Sequence, residues 1–371
     1  MNNVLGIVKF DDKHVNIEGL SLYRPIPSIA FCGRFRLMDF VISNMTNSDI
    51  SNIHVHVNNK QRSVFTHIGS GRQYNINSKR DKITVMHGES DFRTDIYNTD
   101  INCCWDNLEH IIHAPEEYVL IASSYFIYVQ EFNNLVADHI ASDADITMLY
   151  KKTNEAKHKF VECNTLILNN NNQVEGIERN YGKYNERNIA LDCYVMKKDL
   201  FIDLIRQAHK TSSCYWLDKI VSDKLSELNV VGYPLKREVL AINNLDQYFK
   251  AHMAMIDYSY AKNYFLNNWP ILTRTYDSPP VFYGEKAKVT NSSVSNGSKI
   301  MGEIENCFIG RNVIIEEGAV VKNAVLIGDS YIASGANINH AIIDKRVKVQ
   351  NVKELIGDNK NIIYVNRGNT I

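Results

Sequence analysis

The sequence is short of net charge, of long apolar runs and of paired cysteines, and each shortage removes a class of function. Its 41 Lys and Arg against 42 Asp and Glu leave a formal net charge of -1, so bulk charge draws it neither to nucleic acid nor to an anionic membrane. No window approaches the run of about 18 apolar residues that a spanning helix needs, and the opening MNNVLGIVKFDDKH has no basic segment ahead of an apolar one. These features read as a soluble, unprocessed, cytoplasmic protein. Seven cysteines are scattered from Cys32 to Cys307 with no C-x-x-C pair and no histidine at ligand spacing. That pattern fits reduced thiols packed as small hydrophobes.

What is present points to two domains, since 371 residues with 44% hydrophobic content exceed one ordinary core. Up to about residue 250, short apolar strands alternate with helical stretches, the pattern of a doubly wound α/β domain with a mostly parallel, Rossmann-like sheet. NIHVHV (52–57), YVLIAS (118–123) and DITMLY (145–150) read as strands. RLMDFVISNM and EFNNLVADHI carry Leu37, Phe40 and Val41, and Leu135, Val136 and Ile140, at helical spacing. LILNNNNQVEGIE predicts a hairpin whose asparagines tolerate a tight turn. One long helical pattern spans Leu245 to Phe265, and NNWPILTRTYDSPP, with three prolines, reads as a linker. The predicted division is residues 1–250, a helix and linker over 251–280, and a second domain over 281–371.

The second domain has a repeat. Ile309, Ile315, Val321 and Ile327 recur every six residues, with Val313, Ala319 and Val325 four positions after the first three. Six residues can form one flat face of a triangular coil, and stacked turns bury their own apolar column, so the register predicts a left-handed parallel β-helix.

RPIPSIAFCGRFRLMDFVISNMTNSDI (24–50) resembles the segment after the nucleotide loop in ADP-glucose pyrophosphorylases (glucose-1-phosphate adenylyltransferases). Phe31, Gly33, Arg36, Asp39, Phe40, Ser43, Asn44, Asn47, Ser48 and Ile50 fall at the family's spacing, and KQRSVFTHIGSG resembles its next helix. The resemblance covers essentially the whole chain. It implies a nucleotidyltransferase domain followed by a β-helix.

The family's chemistry uses a glycine-rich loop for the triphosphate, two aspartates that hold Mg²⁺ for in-line displacement, and a Lys for the sugar phosphate. At the matching positions this chain differs. VLGIV is followed by KFDDKHVNIEGL, which has no glycine pair and no Arg, and has Asp11 and Asp12 where an anion would bind. The first metal aspartate falls to Ser124 or Tyr125, the second to Ala241, and the Lys before the F-G-G turn to Ile26. The sugar-phosphate motif becomes Glu178-Arg179-Asn180, leaving Arg179 as a vestigial contact, and a sugar-site serine becomes Ala190. These losses resemble the non-catalytic companion subunit that some bacteria make beside the catalytic enzyme. The resemblance therefore implies no metal or cofactor here, Mg²⁺ belonging to a catalytic partner chain, and a hetero-oligomer, a heterotetramer by analogy.

Arg34, Arg36, Lys60, Arg62, Arg72, Lys79 and Arg80 concentrate positive charge in the segment that, in the family, lies near an effector pocket, and they are candidates for binding a phosphorylated sugar or nucleotide. A solvated basic face is the competing reading. His340 in INHAIID is read as a loop histidine rather than an acyltransferase base, and Cys103-Cys104 as core. YSYAKNYFLNNW (258–269) and the β-helix strand edges are candidate subunit contacts. The readings that remain beside a silent regulatory subunit are a stand-alone sugar-phosphate or nucleotide sensor and a weakly active transferase with a rebuilt site.

Overall fold

The structure is a computed structural model, which describes residues 3–9, 15–57, 60–76, 82–88, 99–212 and 214–371. Its first domain is built on a nine-stranded sheet. Strands Tyr118–Ala122, Val4–Val8, Asn52–Val57 and Lys82–His87 run parallel from its middle to one edge. The long strand Arg187–Lys197 joins antiparallel to Tyr118–Ala122 and to Ile146–Thr153, and the hairpin of Asn164–Leu168 and Val174–Arg179 closes that side.

The alternation of side chains along each strand sorts them onto two cores. Val4 and Val8, with Leu120 and Ala122, face the helices Leu37–Asn47 and Phe132–Ala141, whereas Leu5, Ile7, Val119 and Ile121 face Asp100–Asp106 and Lys198–Thr211. Gly6 permits close approach of the first helix, since a Cβ there would lie 2.9 Å from the Met45 sulfur. NIHVHV is a strand, but its alternation is not apolar-in and polar-out. His54 and His56 are buried at 2% and 1% exposure on the face opposite Ile53, Val55 and Val57, and His56 meets the Cys104 thiol at 3.6 Å. On helix Phe132–Ala141, Ile140 is exposed and His139 takes the inner place, bonded to Thr147.

The predicted long helix is broken. It runs Leu245–Ile256, stops at Asp257, whose extended backbone and carboxylate cap a second short helix Tyr258–Ala261, and ends there. Tyr258 is 82% exposed while Tyr264 is fully buried, so this stretch covers a domain joint as well as presenting a surface.

The second domain is a left-handed parallel β-helix with two long sheets of parallel strands. The six-residue register is a local reading of a longer one. Ile304, Val321, Ile338 and Leu355 align, as do Ile315, Ile332 and Val349, so these central coils take 17 residues each, whereas the coil from Val289 to Ile304 takes 15. One side of each 17-residue coil is one residue shorter than three equal sixes. Consequently Val325 and Ile327 point out of the apolar column. Phe308, Val325 and Ile342 stack on the outer face and join the core of the first domain beneath Leu245–Ile256, with Ile327 beside them. At one corner, Asn291, Asn306, Asn323 and Asn339 form a ladder of side-chain hydrogen bonds of 2.6, 3.2 and 2.9 Å, the first three at positive φ. Asparagine tolerates that conformation. His340 extends the corner by bonding Asn339 and Asn359.

Residues 267–280 have no regular structure but are pinned along the first helix. Trp269 donates to Asn44, Asn47 to the Pro270 carbonyl, and the Leu272 amide to Ser43, at 2.8, 3.0 and 2.8 Å. Ser48 accepts from the Phe132 amide at 2.9 Å. The Ser-Asn and Asn-Ser pairs of the 24–50 segment therefore have an architectural role here.

Candidate functional site

Open parallel sheets bind ligands beyond the carboxyl ends of their strands. Here those ends are Val8 and Ala122, followed by Lys9 and by Ser123, Ser124 and Tyr125. Ser123 and Ser124 are fully buried, and Tyr125 is 3% exposed with its ring against Phe126 at 4.3 Å. The strand Leu240–Ala241 pairs with Phe126–Ile127, and the Ile242 amide donates to the Tyr125 carbonyl at 2.8 Å. Tyr125 and Ala241 thus come together although 116 positions of sequence separate their numbers.

Behind them sits a buried ionic cluster. The Lys9 ammonium lies 3.4 Å from Asp100 Oδ2 and 3.7 Å from Asp192 Oδ2, and the Tyr125 hydroxyl donates to that same Asp192 oxygen at 2.8 Å. Asp192 reaches this position from a bulge in the long strand, at φ 46°. Asp218 stands nearby, held by Asn164 at 2.9 Å. Burial alone would push the Lys9 amine down, but Asp192 and Asp100 outweigh it and hold the amine well above its usual range. Burial pushes the Asp100 carboxyl up to about 6, against the opposing pull of Lys9. Sequence reading missed this cluster entirely.

The residues present do not suit Mg²⁺. Tyr125 and Ala241 offer no carboxylate, and an ammonium already stands among the nearest acids. Among the described residues, no group of three His, Cys, Asp or Glu side chains is placed to hold a metal ion. Asp11, Asp12, Lys79 and Arg80 lie outside the described residues.

The other degenerate positions are structural in their surroundings. Ile26 lies in a buried single turn, Ile26–Ser28. Ala190 is buried within its strand opposite Tyr150. Arg179 donates to the Glu162 carbonyl, and Asn180 is buried with its amide on the carbonyls of Ala156 and Phe160.

A second site lies between the domains. A cavity of about 230 Å³ is lined by Gly33, Arg34, Arg36, Tyr276, Arg311 and Lys345, among others. Arg311 lies 4.3 Å over the Tyr276 ring. Burial lowers the Arg311 guanidinium, with Tyr276 opposing and the like charges of Arg34 and Arg36 adding to the fall; burial and Arg24 lower Arg36. Asp329 is the cavity's acid, paired with Lys345 at 3.2 Å. Four cations against one carboxylate make the cavity anion-seeking. The basic stretch of the sequence divides here, with Arg34 and Arg36 in the cavity wall. Lys60, bonded to the Ser21 carbonyl, Arg62 and Arg72 lie outside it. Arg311 and Lys345 come from the β-helix, where no local pattern marked them.

The nucleotidyl transferase model matches residues 17–239, and that of GlmU-like C-terminal hexapeptide domains matches 281–362. The chain belongs to the nucleotidyl transferase family. Within it, the similarity runs to the ADP-glucose pyrophosphorylase group and its GlgD-like members. The chain is 24% identical to the glycogen biosynthesis protein GlgD of Bacillus subtilis (strain 168) over 99% of its own length and 96% of that protein. It is 26% identical to the GlgD protein of Geobacillus stearothermophilus over 86% and 83%. It is 25% identical to the glucose-1-phosphate adenylyltransferase of Fervidobacterium nodosum over 92% and 83%. Among the described residues, no helix of this chain is long and apolar enough to cross a membrane.

Proposed function

We propose that this chain is a regulatory subunit of glucose-1-phosphate adenylyltransferase, catalytically silent or nearly so, acting in glycogen synthesis beside a catalytic homologue. The observation that carries the reading is the meeting of Tyr125 and Ala241 at the carboxyl end of the sheet. Adenylyl transfer from ATP needs the charge of the phosphates neutralised by metal held on carboxylates, and a phenol and a methyl group supply none.

The arginine-lined cavity between the domains supports a regulatory role. A phosphorylated sugar or nucleotide bound by Arg34, Arg36, Arg311 and Lys345 would hold the two domains together and bias whatever packs on them. For assembly, Phe282, Tyr283 and Val289 are exposed on the first β-helix coil, whose strands are at the edge of their sheets. An edge strand with exposed apolar side chains suits docking of another chain. A heterotetramer with catalytic chains is the expected assembly.

The test is to purify the chain alone and together with the catalytic homologue of the same organism, with Mg²⁺, and measure ADP-glucose formation. The reading expects no turnover alone, co-purification, and altered turnover or effector response in the mixture. Turnover by the chain alone identifies an active transferase. Unchanged kinetics without co-purification, but with calorimetric binding of a sugar phosphate or nucleotide, identifies a stand-alone sensor.

A further inference from the structure

Lys9 is the first residue after the strand Val4–Val8, and its amide bonds the Ala122 carbonyl, so it stands at the head of the sheet. A glycine loop there would present bare backbone to phosphate. Lysine instead sends a side chain inward, where it is 4% exposed and ends between Asp100 and Asp192, themselves 3% and 2% exposed. Two carboxylates converging at the carboxyl end of such a sheet are the arrangement that holds a divalent cation, with water completing the shell. Tyr125, one of the two residues at the degenerate metal position, is tied to the same Asp192 oxygen. Asp100 Oδ2 makes no hydrogen bond among the described residues and faces the ammonium.

We infer that Lys9 is a tethered counter-ion, its ammonium standing between Asp100 and Asp192 in place of a divalent cation and excluding one from the cleft. The lysine that opens the segment standing in place of the glycine loop thus supplies the compensating charge. The cleft needs no soluble ion to keep its carboxylates ionised. Asp218, close enough to act on both Lys9 and Asp100, adds to the negative field that the ammonium offsets. Removing only the charge of Lys9 would leave these acids buried without the ammonium, and a divalent cation would then be drawn in.

The inference rests on the non-catalytic reading of the cleft. The experiment is Mn²⁺ binding followed by electron paramagnetic resonance, with thermal unfolding in the presence and absence of Mn²⁺, on the full chain. Lys9→Met should bind Mn²⁺ at least ~10-fold more tightly than the unaltered protein and be stabilised by it, and adding Asp192→Asn should abolish the gain. Should Lys9→Met fail to fold, Lys9→Met with Asp100→Asn, which leaves one fewer buried charge, carries the same comparison with a weaker gain. No gain of Mn²⁺ in the folded variant overturns the inference, as does equally tight, Asp192-dependent binding by the unaltered protein. ADP-glucose formation by the unaltered protein would instead overturn the non-catalytic reading, so the two failures are distinct.

Discussion

Arg24 grips Asp344 with two hydrogen bonds, 2.7 and 2.6 Å long, across 320 residues of sequence. The pair is buried, at 4% and fully, and Asp344 also accepts from Tyr364 and from the Lys345 amide at 2.8 and 2.6 Å. It joins the first turns of the α/β domain to the last coils of the β-helix. Removing one partner leaves the other charged and dry. Arg24→Met should therefore cost about 3–5 kcal/mol in urea unfolding. Arg24→Met with Asp344→Asn should cost distinctly less, because asparagine keeps an acceptor for Tyr364 and Lys345 without a stranded charge.

Acid should weaken the fold. Burial lowers His54 and His252 to about 4 and His56 to about 3, helped by Lys82 for His54 and by His54 for His56, and opposed at His252 by the Tyr248 carbonyl. Each folded value lies below the unfolded value of about 6.5, so each stabilises fully above that pH and the contribution is lost as pH falls toward the folded value. Asp100 runs the other way. Its folded value, raised to about 6, favours the protonated form, so its contribution is present below 3.8 and lost as pH rises through 6. Between pH 4 and 6 these three imidazoles oppose one carboxyl, a slope approaching ~2.7 kcal/mol per pH unit with stability rising with pH, and His139, also lowered by burial, adds to it. Urea midpoints across this range should follow that slope, and His56→Asn should remove about one proton's share.

Restoring one carboxylate should not restore catalysis. Ser124→Asp or Tyr125→Asp, assayed alone with ATP, glucose-1-phosphate and Mg²⁺, is expected to make no ADP-glucose, since Ala241 and the Lys9 ammonium remain. Tyr125→Phe isolates the hydroxyl bonded to Asp192. It should lower stability by about 1.5–3 kcal/mol, the cost of a hydrogen bond to a charged group.

The cavity between the domains makes a separable prediction. Arg311→Ala should raise the half-saturating concentration of an anionic effector in the mixed enzyme by roughly 10-fold or more, through loss of a charge-assisted contact. Co-purification with the catalytic chain should persist. Phe282→Glu with Tyr283→Glu should do the reverse, reducing co-purification in size-exclusion chromatography while the isolated chain keeps its thermal midpoint.

The strand leading to Ser123 was legible because a buried parallel strand writes itself as an unbroken apolar run, and the family motif aligned Ser124 or Tyr125, and Ala241, before any contact was known. Asp192 was not legible. It lies in an apolar strand, and only the bulge at φ 46° turns its carboxylate toward Lys9. Nor were Arg311 and Lys345, since the β-helix pattern constrains inward residues and leaves outward ones unmarked. The helix beyond Leu245 was read too long because apolar spacing continues through Asp257, while the capping carboxylate that ends one helix and starts the next leaves no periodic trace. Ile140 failed for the converse reason, its inner place being taken by an imidazole that finds a hydroxyl partner.

A coil of 17 residues also constrains how this domain can change length. The outer stack of Phe308, Val325 and Ile342 recurs at that interval, one residue per turn, and it is this stack that the helix Leu245–Ile256 rests on. Losing a single residue from the strands between Phe308 and Ile342 would rotate the following side chains around the prism and swap the seated face for the wet one. The departures from that length, a coil of 15 residues from Val289 to Ile304 and one of 22 from Ala341 to Ile363, accordingly fall at the two ends of the stack and not within it.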